Sequence, residues 1–244
     1  MSEGRATRMP RGLRDTRTWY RETDPMSQVD PTIVQVVSER AGRRVLDLGC
    51  GLGGYSRALA DRGFDCRAVD VVEEYVQAAQ GLGVRAELYD GQRVPLEDGA
   101  VDTVVLIEVL EHLEEPDALL REAARVAGRN VIVTTPNCTQ SFGSVPIEFG
   151  HMLDVDHRQF FTVGSMQELF GRTFERYDVV EIEPLDQMIA SLVLPRPLRG
   201  LRRALSRVGA VKPRYFSRLL AEGWSGPAPG AQRGQPTAPA SRRP

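Results

Sequence analysis

A chain of 244 residues, 41% of them hydrophobic, is long enough to bury one sizeable core and too short for several domains. No apolar run approaches the roughly 20 residues of a membrane-spanning helix, and the opening MSEGRATRMPRGLRD lacks the apolar centre of a secretory signal, so a cytoplasmic protein is expected. The formal charge of −2 conceals basic ends around an acidic middle: residues 1–17 hold five Arg against Glu3 and Asp15, residues 196–244 hold eleven Arg or Lys against Glu222, and the remainder carries −15. Such a body disfavours a polyanion such as RNA unless a basic extension covers the approach.

In chain order, residues 1–17 read as a basic, disordered arm and 18–195 as the folded domain. A helix is expected over Pro31–Arg40, where Asp30 can cap and Pro31 occupies the first helical position. From Arg43 to Val180, short β-branched runs alternate with helix-like stretches, the pattern of a parallel sheet covered on both faces. The predicted strands are Val45–Leu48, Cys66–Val69, Arg85–Leu88, Thr103–Ile107, Val131–Thr135 and Tyr177–Ile182, with a seventh at Met188–Leu194. Helices are expected at Gly54–Arg62, Glu73–Gly81, Ala118–Val126 and Ser165–Phe170. The fold class is therefore α/β, a Rossmann-like, mostly parallel seven-stranded sheet. Pro136–Phe161, without a clear period, reads as a long loop after a strand's carboxyl end. Residues 196–222 are expected to form a basic amphipathic helical extension and 223–244 a disordered tail.

The three cysteines, Cys50, Cys66 and Cys138, show no metal-binding spacing and suit a structural role in a reducing compartment.

The segment VLDLGCGLGGYSRAL places a Gly-rich turn between the first strand and the helix after it. Gly49, Gly51 and Gly54 satisfy a GxGxxG spacing, and Asp70 lies where an acid would bind ribose hydroxyls, so a dinucleotide enzyme is one reading. Charge separates the alternatives. A pyrophosphate at this turn would meet an ionised Asp47, whereas S-adenosylmethionine brings an ammonium and a sulfonium and no phosphate. Asp47, Asp70, Asp90 and Glu108 all fall at predicted carboxyl ends of strands, which makes the crevice acidic.

The runs VLDLGCGLGGYSRALADRGFDCRAVDVVEEYVQAA and YDGQRVPLEDGAVDTVVLIEVLEHLEEPDALLREAARV resemble the ordered motifs of class I S-adenosylmethionine-dependent methyltransferases, over roughly residues 30–185. The resemblance implies that Asp70 binds the ribose, that Asp90 with Gly91 lies by the adenine, and that Asp47, Gly49, Cys50, Gly51, Gly53, Val71 and Glu108 complete the cofactor wall.

All three histidines fall near the expected acceptor pocket: His112 in IEVLEHL, His151 and His157 in GHMLDVDHRQFFT. Two chemistries are open to them. His112 or His157, with Glu108, can remove a proton from an acceptor hydroxyl. Alternatively Glu108, Glu111, His112 and His157 can bind a divalent metal that orients the hydroxyl. The ExxEH spacing resembles that of ubiquinone-pathway O-methyltransferases and of small-RNA 3'-terminal 2'-O-methyltransferases. The latter also carry a TPN, here Thr135-Pro136-Asn137, and a DH, here Asp156-His157, but this chain has Gln-Phe-Phe-Thr where that family has Phe-Glu-Trp-Thr and shows no evident RNA-binding domain.

The expected activity is O-methylation of a small-molecule or glycan hydroxyl; a metal-dependent 2'-O-methyltransferase of an RNA 3' end and a non-catalytic cofactor-binding module are the alternatives. In RPLRGLRRALSRVGAVKPRYFSRLL, Leu198, Leu201, Leu205 and Val208 lie opposite Arg199, Arg202, Arg203 and Arg207. That pattern fits an anionic membrane surface, packing on the acidic body, or RNA.

Overall fold

The computed structural model describes residues 24–138, 156–184, 198 and 216–225. Seven strands form one sheet: β1 (Arg44–Leu48), β2 (Asp65–Asp70), β3 (Arg85–Leu88), β4 (Val101–Ile107), β5 (Ala127–Pro136), β6 (Tyr177–Pro184) and β7 (Phe216–Trp224). Their spatial order is β3-β2-β1-β4-β5-β7-β6, parallel from β3 to β5, with β7 antiparallel to both of its neighbours. Among the described residues five α-helices flank them: α1 (Pro31–Arg40) before β1, and α2 (Gly54–Asp61), α3 (Glu73–Gly81), α4 (Pro116–Val126) and α5 (Val163–Thr173) between strands.

The expected α/β architecture is present, with each of the first six strands overlapping its predicted span. The seventh strand is a correction. It comes from Phe216–Trp224, so residues 216–222, expected to be helical, are extended, and the sheet runs past residue 195 and takes Gly223 and Trp224 from the expected tail. Met188–Leu194 lies outside the described residues.

Side chains alternate across the sheet and sort into cores on its two faces. Leu46, Leu48, Val104, Leu106, Val131, Val133, Leu219 and Ala221 pack with Leu119, Leu120, Ala123 and Val126 of α4 and with Met166, Leu169 and Phe170 of α5. Val45, Val105, Ile107, Ile132 and Leu220 pack the other way, against Ile33, Val34 and Val37 of α1 and Leu59 of α2. The helices follow from the same periodicity: apolar residues recur three and four apart, and Asp30 caps α1 by accepting from Thr32 N at 2.8 Å.

Two local features seat β7. A Cβ at Gly223 would lie 2.3 Å from Phe174 Cδ2, so only glycine admits the aromatic ring that ends α5. Asn130, wholly buried in β5, accepts from Thr103 Oγ1 at 2.6 Å and donates to Glu222 Oε1 at 2.6 Å, which pins the register of β7 against β5. No described helix is long and apolar enough to cross a membrane.

Candidate active site

Every parallel strand points its carboxyl end at one edge of the sheet, and the candidate residues collect there. The cofactor half begins where β1 gives way to the glycine turn. Gly49, Gly51 and Gly53 have φ of 86°, 52° and 82°, left-handed values that suit glycine. The turn is also tight in space: a Cβ at Gly49 would lie 2.9 Å from Val109 Cγ2, and one at Gly53 2.6 Å from Ala79 Cβ. Gly49 and Cys50 both donate their N–H to Val69 O, at 2.9 and 3.2 Å, so β2 supports the turn.

Asp70, at the end of β2, accepts from Gly51 N through one carboxylate oxygen and from Val72 N through the other, each at 2.9 Å. A carboxylate oxygen has room for a second donor, so both can also take a ribose hydroxyl. Asp90 is exposed; its Oδ1 accepts from Gln92 N at 2.8 Å and Arg93 N at 2.9 Å, and these amides, Arg93 first, hold its carboxyl below the usual range. Between them Val71 stands 54% exposed, its Cγ1 3.3 Å from where a Cβ at Gly91 would lie. Cys50 and Cys66 are buried, and burial pushes both thiols up, Cys66 to about 12, which leaves them unreactive.

Asp47 is not in the open crevice. It is 2% exposed beneath the turn, where its Oδ2 accepts from Ser56 Oγ of α2 at 2.5 Å. Burial pushes its carboxyl up to about 6, with the Ser56 hydroxyl opposing and the charge of Asp70 adding. Its influence on a ligand is therefore through its charge and through the turn it anchors. With Asp70 and Asp90 this makes the wall acidic, a charge that disfavours a pyrophosphate.

The acceptor half is built around the short 3₁₀ turn Leu110–His112 that follows β4. Glu111 is 1% exposed; its Oε2 accepts from Thr135 Oγ1 at 3.1 Å, and its Oε1 has no hydrogen-bond partner. Burial, then the charge of Glu108, push this carboxyl well above the usual range. The Glu111 carbonyl accepts from Arg158 N at 2.7 Å and Gln159 N at 2.9 Å, which draws in the segment carrying His157. His112 Nδ1 lies 3.2 Å from Asp156 O. A carbonyl only accepts, so Nδ1 carries the proton and Nε2 is the basic nitrogen. The two imidazole rings meet edge to face with centroids 4.8 Å apart. One ligand atom each from Glu111, His112 and His157 lies within 4.8 Å of the others, a set able to hold a metal ion.

Glu108, expected in that set, is not in it. Its Oε1 accepts from Thr134 Oγ1 at 3.1 Å and lies 3.3 Å from Arg218 Nε. Thr134 and Thr135 are neighbours in β5 and project to opposite faces of the sheet, so each takes a different glutamate. Alternation from Leu106 would send Glu108 toward α4 and α5; its left-handed backbone, φ 56°, breaks the alternation and turns it to the α1 and α2 face. Burial raises the Glu108 carboxyl and Arg218 opposes it. His151 lies outside the described residues.

Arg218, Thr134, Asp30, Glu183 and Tyr55 were not expected here. Arg218 Nη1 pairs with Asp30 Oδ2 at 3.2 Å and with Glu183 Oε2, and Asp30 N donates to Tyr55 Oη at 3.2 Å. The available signal was in FSRLLAEGW, a short apolar run after Pro213 and before Gly226 that reads as a strand once it is separated from the arginines preceding it.

Residues 46–133 match the family model described as "Methyltransferase domain". A ubiquinone biosynthesis O-methyltransferase of Xanthomonas oryzae pv. oryzae is 35% identical over 127 residues, covering 47% of this chain and 53% of that protein. An ajmaline N-methyltransferase of Rauvolfia serpentina is 34% identical over 106 residues, covering 39% of this chain and 36% of the relative. The chain thus spans about half the length, or less, of these curated relatives. A solved S-adenosylmethionine-dependent methyltransferase of Archaeoglobus fulgidus superposes with a TM-score of 0.61 at 16% identity, covering 86% of this chain and all of that one. The central segment of this chain thus matches a methyltransferase domain, and its sheet has the fold of solved S-adenosylmethionine-dependent methyltransferases.

Proposed function

We propose that the chain transfers a methyl group from S-adenosylmethionine to a hydroxyl of a small molecule or glycan in the cytoplasm. The observation that carries this reading is the imidazole–carboxylate group of Glu111, His112 and His157 at the same edge of the sheet as the glycine turn. When bound, the cofactor supplies an electrophilic methyl group on a sulfonium sulfur, which leaves as a neutral thioether after in-line attack. The chain's own residues position the acceptor and take its proton. His112 Nε2 is the basic atom, because Nδ1 is committed to the Asp156 carbonyl. Glu111 and His157 flank it. The O-methyltransferase named among the relatives supports oxygen as the acceptor atom, and the N-methyltransferase makes nitrogen the other outcome to test.

A second reading shares the same residues. A divalent ion held by the Glu111 carboxylate and the two imidazoles would lower the pKa of the acceptor hydroxyl in place of a protein base. The unpartnered Glu111 oxygen favours it. An RNA 3' end would then be one acceptor class, and the basic stretch from Arg196 onward its surface contact, or that of an anionic membrane. Purified protein with methyl-labelled cofactor should label a fraction of small molecules or glycans, in chelator as well as without it. Label appearing only in RNA and only with metal would replace this reading with the second. No label in any fraction, with the cofactor still bound, would make the chain a binding module.

A further inference from the structure

Among the described residues, only two other than glycine have a left-handed backbone, Glu108 at φ 56° and Glu183 at φ 60°, and both direct their carboxylates to Arg218. Such a conformation is costly for a residue with a Cβ and persists where surrounding structure imposes it. The guanidinium spans four parts of the fold: Asp30 before α1, Glu108 after β4, Glu183 in β6 and its own strand β7. Ser217, beside it, donates to the same Glu183 Oε2 at 2.7 Å. Val109, next to Glu108, is the side chain that packs on Gly49. The position of Glu108 is thereby tied to the cofactor turn.

We propose that Arg218 is a positioning residue that assigns the two glutamates of the ExxE spacing to different tasks: it holds Glu108 on the α1 and α2 face as part of the cofactor wall, and out of the Glu111–His112–His157 group. The inference rests on the cofactor assignment above. Arg218 acts through Glu108, and the fork of a guanidinium is what lets one residue reach three carboxylates at once. The pocket then presents a carboxylate to the cofactor's cationic end on one face, while the proton-accepting group works on the other.

The test is calorimetry of S-adenosylhomocysteine binding to the full chain, its Arg218→Met, Arg218→Lys and Glu108→Gln variants, and the double variant Arg218→Met/Glu108→Gln, each checked for fold by circular dichroism. Arg218→Met should weaken binding tenfold or more. Arg218→Lys should recover part of the loss, because it restores charge without the fork. In the Glu108→Gln background Arg218→Met should add less than a further twofold. Additive losses in the double variant, or unchanged binding in Arg218→Met, overturn the proposal. If Arg218→Met does not fold, Arg218→Lys decides: threefold weaker binding or worse supports the proposal, and wild-type affinity overturns it. Failure of the unaltered chain to bind the ligand at all is a different result, since it removes the cofactor assignment itself.

Discussion

The two halves of the site are made in different ways. The cofactor half, from Asp47 to Gly91, is assembled by neighbours: the turn, Asp70 and Asp90 are held mostly by backbone amides of the same stretch, as in Gly51 N and Val72 N to Asp70 or Gln92 N and Arg93 N to Asp90. The acceptor half is assembled from distant parts of the chain, with Glu111 bonded to Thr135 and His112 to Asp156, and Glu108, at the seam between the halves, is held by Thr134 and Arg218. A local half survives rearrangement elsewhere. A half built from distant parts depends on every strand being in place, above all β7.

The largest effect that this contrast predicts is loss of the fold on ending the chain at Pro195. That removes β7, strips Arg218 from three carboxylates and leaves Asn130 without Glu222. The truncated protein should show no cooperative thermal transition; retention of wild-type melting and adenosyl-ligand binding would mean that β7 is dispensable to both halves.

Next in size is His112→Gln, which should lower methyl transfer about 10²–10⁴-fold, the range for removing a group from proton transfer, while leaving S-adenosylhomocysteine affinity within about twofold. An equal loss of cofactor binding would show that the halves are not separable. Excess chelator sharpens the same comparison: activity that persists assigns the proton to His112, and activity that disappears assigns the step to a bound ion.

Asp70→Ala perturbs the local half alone. Removing a charged acceptor of ribose hydrogen bonds should weaken the adenosyl ligands by about 1.5–3 kcal/mol. The melting temperature should move little, since the amides of Gly51 and Val72 are left near water at the crevice. Undiminished affinity in this variant would displace Asp70 from the cofactor wall.

The smallest predicted effect concerns Asp47. Its carboxyl titrates near 6 in the fold against an ordinary 3.8, so the folded state binds the proton more tightly. Stability from this group is therefore fullest below about pH 4 and is lost as pH rises through 6. A shift of two units corresponds to about 3 kcal/mol. Asp47→Asn should recover on the order of 1–2 kcal/mol of that at pH 7, less the poorer hydrogen bond to Ser56, and flatten the stability profile between pH 4 and 6. Denaturant titrations across that range measure it; a profile identical to wild type would show that Asp47 is not the group responsible.

Legibility follows the same division. The turn, the acids at the strand ends and the six strands they terminate were readable because each depends on residues within a few positions. The approach of His157 to Glu111 and His112 was also readable, since a loop after β5 has to leave from that edge. Glu108 was misplaced for a physical reason: spacing alone puts it with Glu111, but Thr134 and Thr135 project to opposite faces and a left-handed residue breaks the alternation that spacing assumes. Arg218 was hidden because the charge of residues 196–214 dominates the composition around FSRLLAEGW, and an arginine count says nothing about three carboxylates brought from elsewhere.

The position of β7 also sets a timetable. It lies between β5 and β6 in the sheet, yet among the described residues it is the last strand in the chain, beginning 80 residues after β5 ends. At a synthesis rate of roughly 5–20 residues per second, β5 waits on the order of 4–16 s with an open edge, and β6 has no neighbour at all until the strand between them arrives. Until β7 arrives the nascent sheet presents an open inner edge, the kind of exposure that invites pairing with other chains.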